Sequence, residues 1–162
     1  MLKISRLTDY GLLGAVYLAR KRGEVTSARE IAEFYSLPQP MISKVLKVLH
    51  EGGVLESKRG AGGGYCFEGN PEEVTLRDLL AVLEGPWDLV ECNTFDDEGD
   101  AVCTIRTNCP SKTFMSGINR AIKNAFNGIT LGDLARGVDP AAWVMTGEKI
   151  VHSVRKEEGM TQ

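Results

Sequence analysis

The sequence lacks an apolar run approaching the roughly 18 residues that a helix needs to cross a bilayer, and its first residues lack the apolar core of a signal peptide. It has only four cysteines in 162 residues, too few for a disulfide-stapled scaffold. Hydrophobic residues make up 43% and charged residues 25%, as in an ordinary globular domain. We therefore expect a cytoplasmic protein built from one domain, or from a small domain with an appended element.

Recognisable catalytic motifs are also missing. Only two histidines occur, His50 and His152, and no Ser/His/Asp set accompanies them. The glycine-rich run at residues 60–64 lacks both the Gly-Lys-Ser/Thr ending of a P-loop and the spacing of a dinucleotide fingerprint. We predict that the chain is not an enzyme and that both histidines are surface residues rather than ligands.

Positive charge does not predominate, since the net charge is −3, but the charges are unevenly distributed along the chain. Residues 1–70 carry 10 Lys/Arg against 7 Asp/Glu, whereas residues 71–162 carry 9 against 15. A surface that binds a polyanion is therefore expected in the first half of the chain.

Three helices are predicted in that first half. Apolar and small residues at helical spacing indicate a helix from Ser5 to Lys21, and Ser27-Ala28-Arg29-Glu30 has the form of a capping box that opens a second helix. Pro40 is suited to start a third helix that ends near His50. The predicted buried face of this third helix consists of Ile42, Val45, Leu46 and Leu49.

Two strand candidates, Val54–Lys58 and Tyr65–Glu68, follow the third helix and flank the glycine-rich run. This order of elements predicts a mainly α fold with a small β-wing, a winged helix-turn-helix, and a plain helical bundle is the alternative. In a wing, basic residues reach phosphates or the minor groove, while the third helix reads the major groove. The candidate DNA-binding residues are Gln39, Ser43, Lys44, Lys47, Lys58 and Arg59.

The second half opens with a helix predicted from Thr75 to Glu84. A longer helix is predicted from Ser111 to about Asn127, and Thr130 opens another short one. The long helix carries an apolar stripe that a small winged domain cannot cover alone, so we interpret it as a dimerisation helix. The stripe consists of Met115, Ile118, Ile122, Ala125 and Ile129.

Three cysteines lie in the irregular stretch between these helices. Cys92, Cys103 and Cys109 are separated by ten and by five residues, whereas a structural zinc site prefers closely spaced pairs. This wide spacing suits an iron–sulfur cluster, and the alternative is three unligated cysteines in a loop. Cys66 lies in the second strand candidate, where we expect a small packed side chain.

Taken together, these residues resemble the family of winged-helix transcription regulators that includes the iron–sulfur regulator IscR and the nitric-oxide sensor NsrR. The resemblance covers residues 1 to about 136. Its most specific parts, besides the three cysteines, are Leu7-Thr8-Asp9-Tyr10-Gly11, residues 59–65, and residues 128–134. Three stretches look most like regulators of SUF-type iron–sulfur assembly: residues 4–11, residues 83–86 and residues 118–122.

The resemblance implies a homodimer that binds pseudo-palindromic double-stranded operator DNA, with neither a small-molecule substrate nor a membrane partner. It also implies an iron–sulfur cluster held by Cys92, Cys103 and Cys109, and it places Arg59 in the minor groove. It further implies a repressor of SUF-type assembly genes. A nitric-oxide or redox sensor of the same family and a cluster-free thiol switch are the alternatives.

The chain departs from the family pattern at two places. Ten residues rather than five separate its first two cysteines, and Lys112 stands where IscR-like members have a histidine ligand. A protonated lysine cannot bind iron. In some nitric-oxide sensors an aspartate from the partner subunit completes the site, and Asp9 matches it here, so both [2Fe–2S] and [4Fe–4S] clusters stay open.

We predict four regions along the chain. Residues 1–86 form the DNA-binding domain and residues 87–110 form the cysteine-bearing cluster loop. Residues 111–136 form the dimerisation helix with the short helix, and residues 137–162 form a partly disordered tail.

Overall fold

Helices built on the predicted apolar stripes make up most of the fold, and a two-stranded sheet completes it. The computed structural model describes residues 4–60, 62–85, 99, 102–105 and 108–139. Within these residues the elements, in chain order, are α1 (Arg6–Arg20), α2 (Ala28–Tyr35), α3 (Gln39–Glu51), β1 (Glu56–Lys58), β2 (Gly64–Cys66), α4 (Leu76–Glu84), α5 (Lys112–Gly128) and α6 (Leu131–Arg136).

The first three helices pack around a common core. The hydroxyl oxygens of Ser5 and Ser27 accept the N–H groups of Thr8 and Glu30, both at 3.1 Å, so these serines cap α1 and α2; only the cap at Ser27 was predicted. The Glu30 carboxylate accepts hydrogen bonds from Tyr17 and Lys21, so the predicted capping box is observed with its serine half alone. The predicted buried face of α3 is confirmed, since Ile42, Val45, Leu46 and Leu49 are all fully buried.

The turn between α2 and α3 sets the angle of the third helix. Ser36 adopts the left-handed conformation with φ of 54°, and its N–H donates to the carbonyls of the last turn of α2. The helix α3 begins at Gln39, one residue earlier than predicted, and Pro40 still lies in its first turn, where no N–H donor is needed.

Both strands are shorter than the sequence predicts. The antiparallel pair aligns Ser57 with Tyr65. The N–H of Val54 donates to the Leu49 carbonyl at 2.9 Å and so belongs to the end of α3 rather than to the strand. At the other end, the Phe67 carbonyl accepts the N–H of Gly23 at 3.0 Å, and the buried Phe67 ring joins the core.

A third segment extends the sheet. Thr26, in the connection between α1 and α2, exchanges two backbone hydrogen bonds with Tyr65, both at 2.9 Å. Gly64 lies so close to the Thr26 carbonyl oxygen that a β-carbon on Gly64 would collide with it. The wing is therefore fastened to the helical core through its second strand.

The short helix α6 packs on the helical core formed by the first half of the chain. Leu131 is fully buried in the common core, and the Arg20 side chain donates to the carbonyl of Ala135 at 2.7 Å. Capping boxes begin both α4, at Thr75 and Asp78, and α6, at Thr130. The two helix starts are also joined directly by backbone hydrogen bonds of 2.7 and 2.8 Å.

The long helix α5 contacts α4 and buries little of its own surface within one chain. Its only fully buried residue is Asn119, while Met115, Ile118, Ile122 and Ala125 are half-buried. Phe114, in the first turn, is 70% exposed. Ile129, the last residue of the predicted stripe, follows the helix and is buried, and its carbonyl accepts the N–H of Leu76 at the start of α4. Most of the apolar stripe is thus accessible in the monomer.

The predicted fold class is confirmed: the chain is mainly helical with a two-stranded wing in winged helix-turn-helix order. None of the helices in the described part of the chain is both long and apolar enough to cross a bilayer.

Candidate nucleic-acid interface and cysteine segment

The outer face of α3 carries the residues predicted to meet DNA. Gln39, Lys44 and Lys47 are exposed and Ser43 is half-buried, opposite the face that packs into the core. Lys47 lies 3.5 Å from Glu51, but both side chains are more than 60% exposed, so the pair is weak and the lysine stays available to a polyanion. The third helix therefore presents polar and cationic side chains to solvent from a rigidly packed backbone.

The two cations of the wing differ in their surroundings. The Lys58 ammonium lies 3.0 Å from the Glu68 carboxylate across the hairpin, and this hydrogen bond raises the pKa of Lys58 and lowers that of Glu68. Arg59 is exposed, and it has no ion-pair partner among the described residues. Of the two, Arg59 is thus the cation that can bind a DNA phosphate or groove without first giving up a carboxylate partner.

His50 links the third helix to the wing. Its Nδ1 lies 2.8 Å from the Leu55 carbonyl oxygen and its Nε2 lies 3.1 Å from the Ser57 hydroxyl oxygen. Its ring also meets the Tyr65 ring edge-on, with 6.2 Å between centroids. The prediction that His50 is a surface residue is wrong in part, because the ring is half-buried and bonded on both sides. The sequence feature that could have indicated this is its position in the last turn of α3, two residues before Gly52 and Gly53, where the chain turns back.

Asp9 lies in the first turn of α1 and is exposed. Beside it, the Thr8 hydroxyl donates a short hydrogen bond to the Glu84 carboxylate, which also accepts the Ser5 N–H at 3.2 Å. These bonds lower the pKa of Glu84, with the Thr8 hydroxyl as the largest cause. The end of α4, which leads into the cysteine-bearing region, is thereby fastened to the start of α1.

The predicted cluster ligands are described in part. Cys103 and Cys109 are free thiols and half-buried, and Cys92 lies outside the described residues. The Cys109 carbonyl accepts the N–H of Lys112 at 3.3 Å, so this cysteine lies in the turn that leads into α5. Within the described residues, no group of three or more His, Cys, Asp and Glu side chains is close enough to hold a metal ion.

The donor chemistry of this segment fits an iron–sulfur cluster. Two accessible, unpaired thiols on one short stretch are the soft donors that such clusters require. Cys66 does not fit, because its side chain is fully buried in the wing and burial raises the pKa of its thiol. The prediction that Cys66 is a small packed side chain is confirmed, since it is fully buried.

Comparison with known proteins gives a consistent result. The profile of the Rrf2 family, described as iron-dependent transcriptional regulators, matches residues 4–137. The transcriptional regulator CymR of Bacillus subtilis is 34% identical over 85% of this chain and 93% of its own length. The regulator NsrR of the same organism is 30% identical over 83% of this chain and 91% of its own length.

Solved structures point to the same family as the sequence comparisons. The structure of CymR, the global cysteine regulator of B. subtilis, superposes with a TM-score of 0.67 at 33% identity, covering 86% of this chain and all of that chain. T. potens IscR superposes with a TM-score of 0.62 at 26% identity, covering 86% of this chain and 90% of that chain. These are DNA-binding regulators rather than enzymes, and the chain belongs to the Rrf2 family of winged-helix transcription regulators.

Proposed function

We propose that this regulator is a homodimeric repressor of SUF-type iron–sulfur assembly genes that senses through an iron–sulfur cluster. The observation that carries the proposal is the pair of free, half-buried thiols, Cys103 and Cys109, on the stretch that enters α5. The family description as iron-dependent supports it, and so does the likeness to IscR. The SUF target rests on the sequence resemblance at residues 4–11, 83–86 and 118–122.

Cys92, Cys103 and Cys109 would hold the cluster, with Asp9 of the partner subunit as the proposed fourth ligand. When bound, an iron–sulfur cluster supplies a group that iron starvation, oxidants or nitric oxide remove or alter. The chain's own contribution is to present three thiolates from the region between α4 and α5.

The packing offers a physical route from this region to the DNA-binding face. Helix α4 ends at Glu84, whose carboxylate fastens the start of α1. The same helix places Val82 directly against Gly52, the residue that ends α3. A rearrangement at the end of α4 would therefore tilt or shift α3. It would change DNA affinity only if the loaded and empty forms favour different arrangements.

For DNA, we propose that the outer face of α3 enters the major groove and that the wing lies along the adjacent minor groove. Gln39 and Ser43 are placed for base edges, and Lys44 and Lys47 for phosphates. On the wing, Lys58 and Arg59 supply positive charge, and a narrow minor groove attracts arginine.

The proposed dimer buries the stripe of α5. Met115, Ile118, Ile122 and Ala125 are only half-buried in one chain, and a second copy of the helix has the same stripe to offer. Two winged domains joined in this way would match a two-fold symmetric operator.

An oxygen-free purification tests cluster binding directly. We expect wild-type protein to show iron–sulfur absorbance with matching iron and sulfide counts, and we expect Cys103→Ala to lose both. Cys66→Ala is the matched control and should keep the full cluster. Asp9→Ala should weaken cluster retention if Asp9 is the fourth ligand. Full iron content in Cys103→Ala would contradict the proposed ligand set.

A cluster-free thiol switch is the alternative that a specific observation favours: CymR, the global cysteine regulator of B. subtilis, matches this chain over 93% of its own length. A colourless protein without iron or sulfide, even after reconstitution, would support it. A nitric-oxide or redox sensor on the same fold is distinguished by operator binding that responds to nitrosylation rather than to iron supply.

A further inference from the structure

The imidazole of His50 occupies the junction between α3 and the wing. Its Nδ1 is 2.8 Å from the Leu55 carbonyl oxygen, its Nε2 is 3.1 Å from the Ser57 hydroxyl, and its ring contacts Tyr65. Because Ser57 and Tyr65 are register partners in the hairpin, this one ring contacts both strands.

The partners assign the protons of the neutral ring. A backbone carbonyl can only accept, so Nδ1 carries the hydrogen and donates to Leu55. Nε2 then accepts from the Ser57 hydroxyl. If the ring were protonated, Nε2 would donate to the same hydroxyl oxygen, which can also accept. The hydrogen bond between His50 and Ser57 can therefore form in both protonation states of the ring, so it holds the wing in place and is not a pH switch.

The wing needs such a link. Each strand has only three residues, and a hairpin of this size is marginally stable by itself. The second strand is fastened to the core by the two Thr26–Tyr65 hydrogen bonds. The first strand, which leads two residues beyond Ser57 to Arg59, is fastened by His50.

We infer that His50 is a positioning residue for the wing: by holding Ser57 and Tyr65 against the end of α3, it fixes where Arg59 meets DNA relative to the third helix. This inference rests on the proposed role of the wing in DNA binding. It concerns geometry between two DNA-contacting elements, and His50 itself does not touch DNA.

Two substitutions separate the bonds of the ring. In His50→Asn the side-chain amide can still reach the Leu55 carbonyl but not Ser57. In His50→Gln the longer side chain carries a polar group to the position of Nε2 and can bond Ser57. Ser57→Ala removes the same link at an exposed residue without threatening the core. Ser111→Ala, at another exposed serine with no side-chain capping bond, is the matched control.

The probe is a duplex of about 30 base pairs, long enough for two half-sites, selected from a random library by the wild-type dimer. We expect His50→Asn and Ser57→Ala to weaken binding by about two- to tenfold, the range for one lost hydrogen bond, while His50→Gln and Ser111→Ala bind as the wild type does. We also expect His50→Asn to cause no further loss in an Arg59→Ala background. Minor-groove protection at the wing position should fall, with major-groove protection retained.

Equal losses from His50→Asn with and without Arg59 would overturn the inference, because they would indicate a general structural role. Unchanged binding by His50→Asn would overturn it as well. If Arg59→Ala itself leaves affinity unchanged, the proposed role of the wing fails and the inference falls with it. Circular dichroism at the assay temperature verifies that each variant is folded.

Discussion

Arg136 of α6 holds the carboxylate of Glu72, from the segment before α4, with both of its terminal nitrogens, and the Nη2–Oε2 distance is 3.2 Å. The same guanidinium donates to the nearly buried Asp133 at 2.7 Å. Glu72 also accepts from the Thr130 hydroxyl at 3.2 Å. This network fastens α6, and with it the fully buried Leu131, to the segment that precedes α4.

Removing the cation should loosen this attachment. We expect Arg136→Met to lower the free energy of unfolding by about 1–2 kcal/mol, because the ion pair is half-exposed but Asp133 also loses a partner. Urea denaturation at neutral pH provides the measurement. Arg29→Met, which breaks an ion pair with both side chains largely exposed, is the control and should change the free energy by less than about 0.5 kcal/mol. Equal effects of the two substitutions would contradict this account.

The same network predicts a pH dependence. The Arg136 guanidinium holds the pKa of Glu72 below its ordinary value of 4.5. Because a lowered folded-state pKa means that the folded protein binds the proton less readily, the contribution is present above pH 4.5 and is lost as the pH falls through the folded pKa. The difference in unfolding free energy between wild type and Arg136→Met should therefore shrink below pH 4.5. A difference that stays constant down to pH 3 would argue against an electrostatic origin.

Two neighbouring glycines of the wing should respond differently to alanine. A β-carbon on Gly64 would strike the carbonyl oxygen of Thr26, which is backbone and cannot rotate away, whereas no atom of the described residues lies within 4 Å of a β-carbon on Gly62. We expect Gly64→Ala to cost about 1–3 kcal/mol of stability, as overpacking does, and Gly62→Ala to cost little. Thermal unfolding of both variants tests this, and similar melting temperatures would refute the close approach.

The positions of the helices could be predicted because the sequence features that begin a helix and define its buried face are local. Ser27 and Thr75 mark helix starts through bonds to residues three positions later, and the buried face of α3 follows from its 3.6-residue period. The packing of α6 against α1 could not be predicted in this way. Arg20 and Ala135 are 115 residues apart, and no local pattern encodes a contact at that separation.

The candidate site was predictable to a similar extent. The residue types and the order of the predicted elements pointed to the cations of α3 and the wing, and the structure shows that these cations are exposed. The link through His50 was missed because it depends on where the chain turns after Gly52, which brings Leu55 and Ser57 back to the ring. The proposed gathering of the cysteines stays a prediction, since Cys92 lies outside the described residues.

Arg59 should contribute directly to operator affinity. Its side chain is exposed and without an ion-pair partner in the described part of the chain, so no neighbouring carboxylate neutralises the charge that it presents to DNA. We expect Arg59→Ala to weaken binding to the selected duplex by about 1–3 kcal/mol and to reduce preference for a narrow minor groove. Fluorescence anisotropy at fixed salt gives the measurement. Arg77→Ala, at an exposed arginine of α4, serves as control, and an equal loss there would indicate a nonspecific charge effect.

The apolar stripe of α5 should control the oligomeric state. Ile122 is half-buried in one chain, and a charge at this position would be buried in the proposed dimer. We expect Ile122→Glu to shift the protein from dimer to monomer in sedimentation velocity. Asn124→Glu, on the exposed side of the same helix, should leave the dimer intact. A dimer that survives Ile122→Glu would place the interface elsewhere.

The most direct test of the central claim compares the DNA affinity of oxygen-free, cluster-loaded protein with that of the same protein after chelation, on one duplex at one salt concentration. If the cluster controls DNA binding, the two affinities should differ by about fivefold or more, the lower range of allosteric coupling, and Cys103→Ala carried through both treatments should show no difference. Equal affinity of the loaded and stripped wild-type protein, with loading verified by absorbance and iron content, would contradict it.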